Sequence, residues 1–140
     1  MQPEQYADSI PYWNLLGMEL IEVGDGHATV SLSIGQEHSS NDEQLIAHGG
    51  VIASLVDSAA GMAATAANGA ITPTIDMRVD YLAPVTTDLR ANAEIVRHGE
   101  STSVVTCEVY DTEGTHVATA RTVFKTGGGD GETPWSREEQ

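Results

Sequence analysis

The feature that most constrains this chain is the run HGGVIASLVDSAAGMAATAANG, residues 48–69, in which Asp57 is the one charged side chain when histidine is counted neutral. His48-Gly49-Gly50 opens it and Asn68-Gly69 closes it, with glycine in the position favoured just past a helix end. Between these signals the residues are apolar or small around nearly the whole circumference, which predicts a helix buried on all sides. The rest of the chain has to supply the wrapping.

The flanking segments read as strands. Residues 1–17 form a short helical lead-in broken at Pro11, with Tyr12, Trp13, Leu15 and Leu16 as an apolar patch and Gly17 as its stop. From Met18 the period changes to two. Ala28, Val30, Leu32 and Ile34 alternate with His27, Thr29, Ser31 and Ser33, the pattern of a half-buried strand. Asp25-Gly26 joins it to the run Met18–Val23 as a hairpin. Residues 36–44 are polar and read as a loop. After the helix come strand-like runs at Thr74–Leu82, Arg90–Arg97, Thr102–Tyr110 and His116–Lys125, with turns at residues 97–100 and 111–114. An α+β architecture, an antiparallel sheet curled around one central helix, satisfies both the apolar helix and the one-sided strands. With 140 residues there is room for one domain, spanning residues 1–126, and residues 127–140 read as a disordered acidic tail.

Charge narrows the function. Six Lys and Arg stand against 21 Asp and Glu, a net charge of −15 with the five histidines neutral. Such a surface repels phosphate backbones and anionic membranes, so no nucleic-acid partner is expected. Nor is a membrane span, because residues 49–75 are rich in small residues and interrupted by Asn68-Gly69 and Pro73. The N-terminal residues lack the basic and apolar regions of a signal peptide, and the single Cys107 fits a reducing compartment. The acidic excess runs along the whole chain. At about 1 M salt the Debye length is about 3 Å, which screens such self-repulsion, so the composition points to a high-salt cytoplasm.

Two features within the helix could carry chemistry. Asp57 is an isolated carboxylate in an apolar setting, where ionisation is costly unless the group is paired or working. Gly49 and Gly50 lie where the first amides of the helix are unpaired and carry the positive end of its dipole, a natural oxyanion site, although a plain tight turn accounts for two glycines equally well. His48 alone reads as a cap or turn residue. Gly49 and Asp57 are eight residues apart, about 12 Å of helical rise, so one small carbonyl cannot touch both within one chain. Cooperation would require a second copy with its helix antiparallel across a two-fold axis.

The stretch HGGVIASLVDSAAGMAA, followed by TPTIDMRVDYLAPV and the closing VVTCEVYDTEGTHVATARTVFKT, resembles the hotdog-fold acyl-CoA thioesterases of the phenylacetate-degradation (PaaI-like) type. The similarity covers about residues 10–125 and includes the segment PYWNLLGMEL. It implies the helix-wrapped sheet, an acyl-CoA substrate, no cofactor, and a homodimer or dimer of dimers with sites shared across the interface. By position it makes Asp57 the catalytic carboxylate, as nucleophile or general base, and Gly49 the residue whose amide polarises the thioester carbonyl, with His48 assisting. Thr74 falls where some relatives have a hydroxyl that orients the attacking water. Relatives often carry Asn or Gln six positions before the motif histidine. Here Asp42 holds that place, and a one-residue insertion would let Asn41 serve. Contacts to CoA are implied for Arg78 and for the turn holding Arg97, His98, Gly99 and Ser101, in which Glu100 stands where a basic residue would help.

The five histidines show no ligand spacing, so no metal is expected. Cys107 lies mid-strand between Val105 and Val109 and reads as a small buried hydrophobe. The second reading is a non-catalytic hotdog domain that binds acyl-CoA as a sensor or partner module. A dehydratase, the third, would need an Asp/His pair placed for proton transfer, which the sequence does not offer.

Overall fold

The computed structural model describes residues 2–127. The expectation of an acidic tail therefore falls, from residue 128 onward, outside the described residues. The lead-in is two short helices, α1 (Pro3–Ser9) and α2 (Pro11–Leu16), each with proline in its first turn, and Gly17 at φ 88° ends the second. Strands β1 (Met18–Gly24) and β2 (His27–Leu32) form a hairpin. Its turn residues Asp25 (φ 49°) and Gly26 (φ 78°) both adopt the left-handed conformation that a two-residue loop requires. The long helix α3 (Gly49–Asn68) follows, capped by Gly69 at φ 73°. Strands β3 (Thr74–Tyr81), β4 (Leu89–His98), β5 (Thr102–Asp111) and β6 (His116–Lys125) complete the chain.

The strands make one six-stranded sheet in the order β1-β2-β4-β5-β6-β3, with every neighbouring pair antiparallel. The strand after the helix thus lies at the far edge, beside the last strand. The sheet's inner face and α3 meet through small side chains: Ala91, Ala93 and Ala118 from the strands, Ala59, Ala60, Ala63 and Ala64 from the helix, all buried. Small residues on both surfaces bring the helix close into the curve of the sheet, and larger ones such as Leu32, Leu55 and Phe124 fill the remaining space.

Two sequence expectations shift. The strand expected to reach Ile34 stops at Leu32, because the Ile34 amide donates to Asp88 Oδ1 (2.9 Å) instead of to a ladder partner. The loop at 36–44 contains a 3₁₀ turn at Gln36–His38, where the His38 ring is buried. Its Nδ1 accepts from the Gly35 amide (2.8 Å) and its Nε2 donates to the Leu16 carbonyl (2.8 Å), tying the loop to the end of α2.

A third expectation needs correction. Within one chain α3 is not buried on all sides: the sheet covers Ile52, Leu55, Val56, Ala59 and Ala63, while Gly50, Ser54, Asp57, Ser58 and Gly61 form a strip that stays half-buried or exposed. A six-stranded sheet covers one side of a helix, and small residues look the same in sequence whether or not something lies over them. Strand β3 is open as well, with Ile75 and Tyr81 each more than half exposed.

Candidate active site

The first turn of α3 is set by His48. Its extended backbone (φ −63°, ψ 139°) places the ring so that Nδ1 accepts from the Gly50 amide (2.8 Å), while its carbonyl accepts from the Val51 amide (3.0 Å). The His48 amide in turn donates to the His38 carbonyl (2.8 Å). The Gly49 amide, first in the helix, has no acceptor among the described residues. It points its hydrogen out at the positive end of the helix dipole. Because Nδ1 accepts, the neutral His48 ring carries its proton on Nε2, on an exposed side chain.

Sequence reasoning missed the residue that holds this turn from below. The Tyr81 hydroxyl donates to the Gly49 carbonyl (2.8 Å), and its ring lies flush against Gly49, where an added Cβ would sit 3.5 Å from it. Period-two counting from the partly buried Met77 and Val79 was the available signal, since it puts Tyr81 on the helix side of its strand.

Asp57 lies about two turns further along α3. It was expected to be buried, but it is half-exposed, at the rim of a cavity of about 430 Å³. The Thr74 hydroxyl at the start of β3 donates to Asp57 Oδ1 (2.7 Å), and Oδ2 has no partner among the described residues. Strand β3 therefore supplies a hydroxyl at each end, one to the carboxylate and one to the helix start. The cavity floor is Met62, Thr65, Thr72 and Phe124, all buried, and α1 and α2 cover it with Tyr6, Ile10 and Trp13. Burial pushes the Tyr6 phenol above its usual range, so it stays protonated. At the rim the Tyr12 hydroxyl meets Ser54 Oγ (2.7 Å), itself bonded to the Gly50 carbonyl (2.8 Å). The lead-in helices, read in sequence only as an apolar patch, are one wall of the site.

The remaining site residues from sequence lie apart from this groove. Asn41 turns its Oδ1 onto the Glu43 and Gln44 amides (2.8 and 3.2 Å), closing its own loop. Arg78 projects from β3 into solvent, opposite Arg121 on β6, with Asp80 Oδ1 at 3.7 Å. The turn with Arg97, His98, Gly99 and Ser101 packs on the other end of α3. Thr126 bonds the Gly99 carbonyl (2.9 Å) and the Ser101 carbonyl (3.0 Å), and Asn68 reaches the Thr126 carbonyl (3.4 Å). That end is about 28 Å along the helix from Gly49 but only about 16 Å from Asp57. Cys107 is fully buried, and burial with the neighbouring Glu108 pushes its thiol up to about 12. Among the described residues, no three His, Cys, Asp or Glu side chains gather as metal ligands would.

Comparison with known proteins identifies the family. Residues 45–118, which hold the Gly49 turn, Asp57, Thr74 and Tyr81, match the family described as the thioesterase superfamily. A provisionally named esterase of Halobacterium salinarum is 32% identical over 135 residues, covering 87% of this chain and 88% of that protein. The medium/long-chain acyl-CoA thioesterase YigI of Escherichia coli is 29% identical over 140 residues, covering 89% and 90%. The structure of the Escherichia coli PaaI protein, from the phenylacetic acid degradation operon, superposes with a TM-score of 0.81 at 25% identity, covering 89% of this chain and 90% of that one. With its antiparallel sheet wrapped around one long helix, the chain has the hotdog fold and belongs to the thioesterase superfamily.

Proposed function

We propose that this protein hydrolyses acyl-CoA thioesters to free acid and CoA as a homodimer, alone or within a dimer of dimers. Each site takes Asp57 from one copy and the Gly49 amide from the other. The observation that carries this reading is a free helix-start amide and a hydroxyl-held carboxylate on one helix, about 12 Å apart. Two such helices set antiparallel across a two-fold axis bring each Gly49 to the other copy's Asp57. Surfaces suited to such pairing are open in the single chain: the small-residue strip of α3 and the free edge of β3, with its exposed Ile75 and Tyr81. The name of YigI supports an acyl-CoA substrate.

In this site Asp57 Oδ2 accepts a proton from water while Thr74 fixes the carboxylate through Oδ1. The water oxygen bonds to the thioester carbon, and the oxyanion forms against the Gly49 N–H at the positive helix end. His48 Nε2–H is a second donor on that turn. Collapse of the intermediate breaks the C–S bond, and the proton held by Asp57 passes to the departing thiolate. A thioester is electrophilic enough for one carboxylate and one oxyanion donor to suffice. The acidic surface supports a cytoplasm of high salt as the setting. The test is a panel of acyl- and aroyl-CoA substrates with purified protein. Release of CoA that depends on Asp57 is the expected result, and tight acyl-CoA binding without turnover would make the chain a binding module instead.

A further inference from the structure

The groove behind Asp57 contains an arrangement that folding alone does not explain. Gly61 lies one turn after Asp57 on the same strip of α3, in the middle of a long helix, where glycine is less favourable than alanine. Packing within one chain does not demand it. A Cβ added at Gly61 would meet the Phe124 ring at 3.5 Å, an ordinary contact, so alanine would fit and would strengthen the helix. What glycine preserves is open space, since Gly61 lines the groove between Asp57 at the rim and Thr65 at the floor.

The groove's other properties define what enters. The α3 residues that line it, Asp57, Ser58, Gly61, Met62 and Thr65, run along one side of the helix for about 12 Å. Its floor is made of buried Phe124, Thr65 and Thr72. The CoA arm has to lead out to solvent and suits a buried floor less well than an acyl tail does. Asp57 is the one charged residue that this chain gives the lining, and the chain places no Lys, Arg or His along the groove to neutralise a second carboxylate. The Thr65 and Thr72 hydroxyls bond each other (3.3 Å) and leave the floor without an unpaired polar group that would call for a polar tail.

We infer that this groove takes an uncharged acyl tail, laid along α3 from Asp57 towards Thr65, and that the missing side chain at Gly61 sets how long a tail fits. The inference rests on the proposed thioesterase reading, and its test separates the two. Straight-chain acyl-CoAs of increasing length, with one dicarboxylic acyl-CoA, are assayed with wild type, Gly61→Ala and Gly61→Leu. Binding of the matching free fatty acids is followed in parallel through tryptophan fluorescence, because Trp13 lines the groove.

In Gly61→Leu, kcat/KM for the longest accepted chains should fall at least tenfold. The shortest chains should stay within about twofold, and fatty-acid affinity should lose the same long members. Gly61→Ala should fold at least as well as wild type and show the same trend more weakly, which keeps the test decisive if the leucine variant misfolds. The dicarboxylic substrate should be the poorest in every form. A loss equal at all lengths would mean that the groove holds the CoA arm, and an unchanged length profile would mean that Gly61 gauges nothing. Either overturns the inference. Length-dependent binding that shifts with Gly61 in a protein that cleaves no thioester would uphold the groove and overturn the proposed activity.

Discussion

The two faces of α3 differ in composition and in use. Towards the sheet, Leu55, Val56, Ala59 and Ala60 are completely buried and hold the domain together. Away from it, Gly50, Ser54, Asp57, Ser58 and Gly61 are small or polar, incompletely covered, and line or adjoin the groove. Substitution on the first face should change stability and reach activity only through unfolding. Substitution on the second should change activity while the fold stands.

The largest effect expected on the open face is that of Asp57→Asn. The amide keeps the shape and can still accept from Thr74, yet it cannot take a proton, so kcat should fall by about 10²–10⁴-fold. The melting temperature and acyl-CoA binding should remain near wild type. Retention of most activity in a folded Asp57→Asn protein would move the catalytic role elsewhere. On the sheet side, Leu55→Ala removes a fully buried side chain and should cost about 2–5 kcal/mol of stability. Measured at a temperature where the variant is folded, its kcat should match wild type, and a selective loss of kcat would blur the distinction between the faces.

A smaller effect is expected of Tyr81→Phe, which keeps the ring against Gly49 and deletes the hydrogen bond to its carbonyl. Loss of one such bond is worth about 1 kcal/mol, or about fivefold. The decrease should appear in kcat with KM little changed, because in the proposed mechanism the bond positions the amide that faces the oxyanion. An equal rise in KM alone would make Tyr81 a surface for substrate instead. The smallest expected effect concerns neither face. Between low and molar KCl the melting temperature should rise as charges on a chain of −15 are screened. A falling melting temperature would contradict the high-salt reading.

What sequence made legible was whatever local chemistry decides. Asp25-Gly26 demanded a left-handed turn, Gly69 demanded a helix stop, and both adopt positive φ. Period-two alternation located the strand ends to within one residue, except where Asp88 captured the Ile34 amide from a distant loop and the strand stopped two residues early. The groove and the support of the helix start were not legible, because they depend on contacts across the fold: Tyr12 at the groove bonds Ser54, and Tyr81 bonds Gly49, contacts between segments 42 and 32 residues apart. The exposure of Asp57 was misjudged for a related reason. Glycine and serine are small enough to pass as buried beside the apolar face, so pattern alone assigns burial to both.

The central claim is that the open face of α3 is half of a site completed by a second copy, and mixed dimers test it most directly. Asp57→Ala removes the carboxylate. Gly49→Pro removes the amide hydrogen, at a first helical position where proline is well tolerated and after a His48 backbone that is already extended. The two variants, carrying different tags, are co-expressed, and dimers bearing both tags are purified and assayed beside each variant alone. If the site is shared, each mixed dimer contains one site with both groups intact and one with neither, and its activity should be about half that of wild type while both parents stay nearly inactive. Folded mixed dimers with no more activity than their parents would show that Asp57 and the Gly49 amide do not act together across an interface.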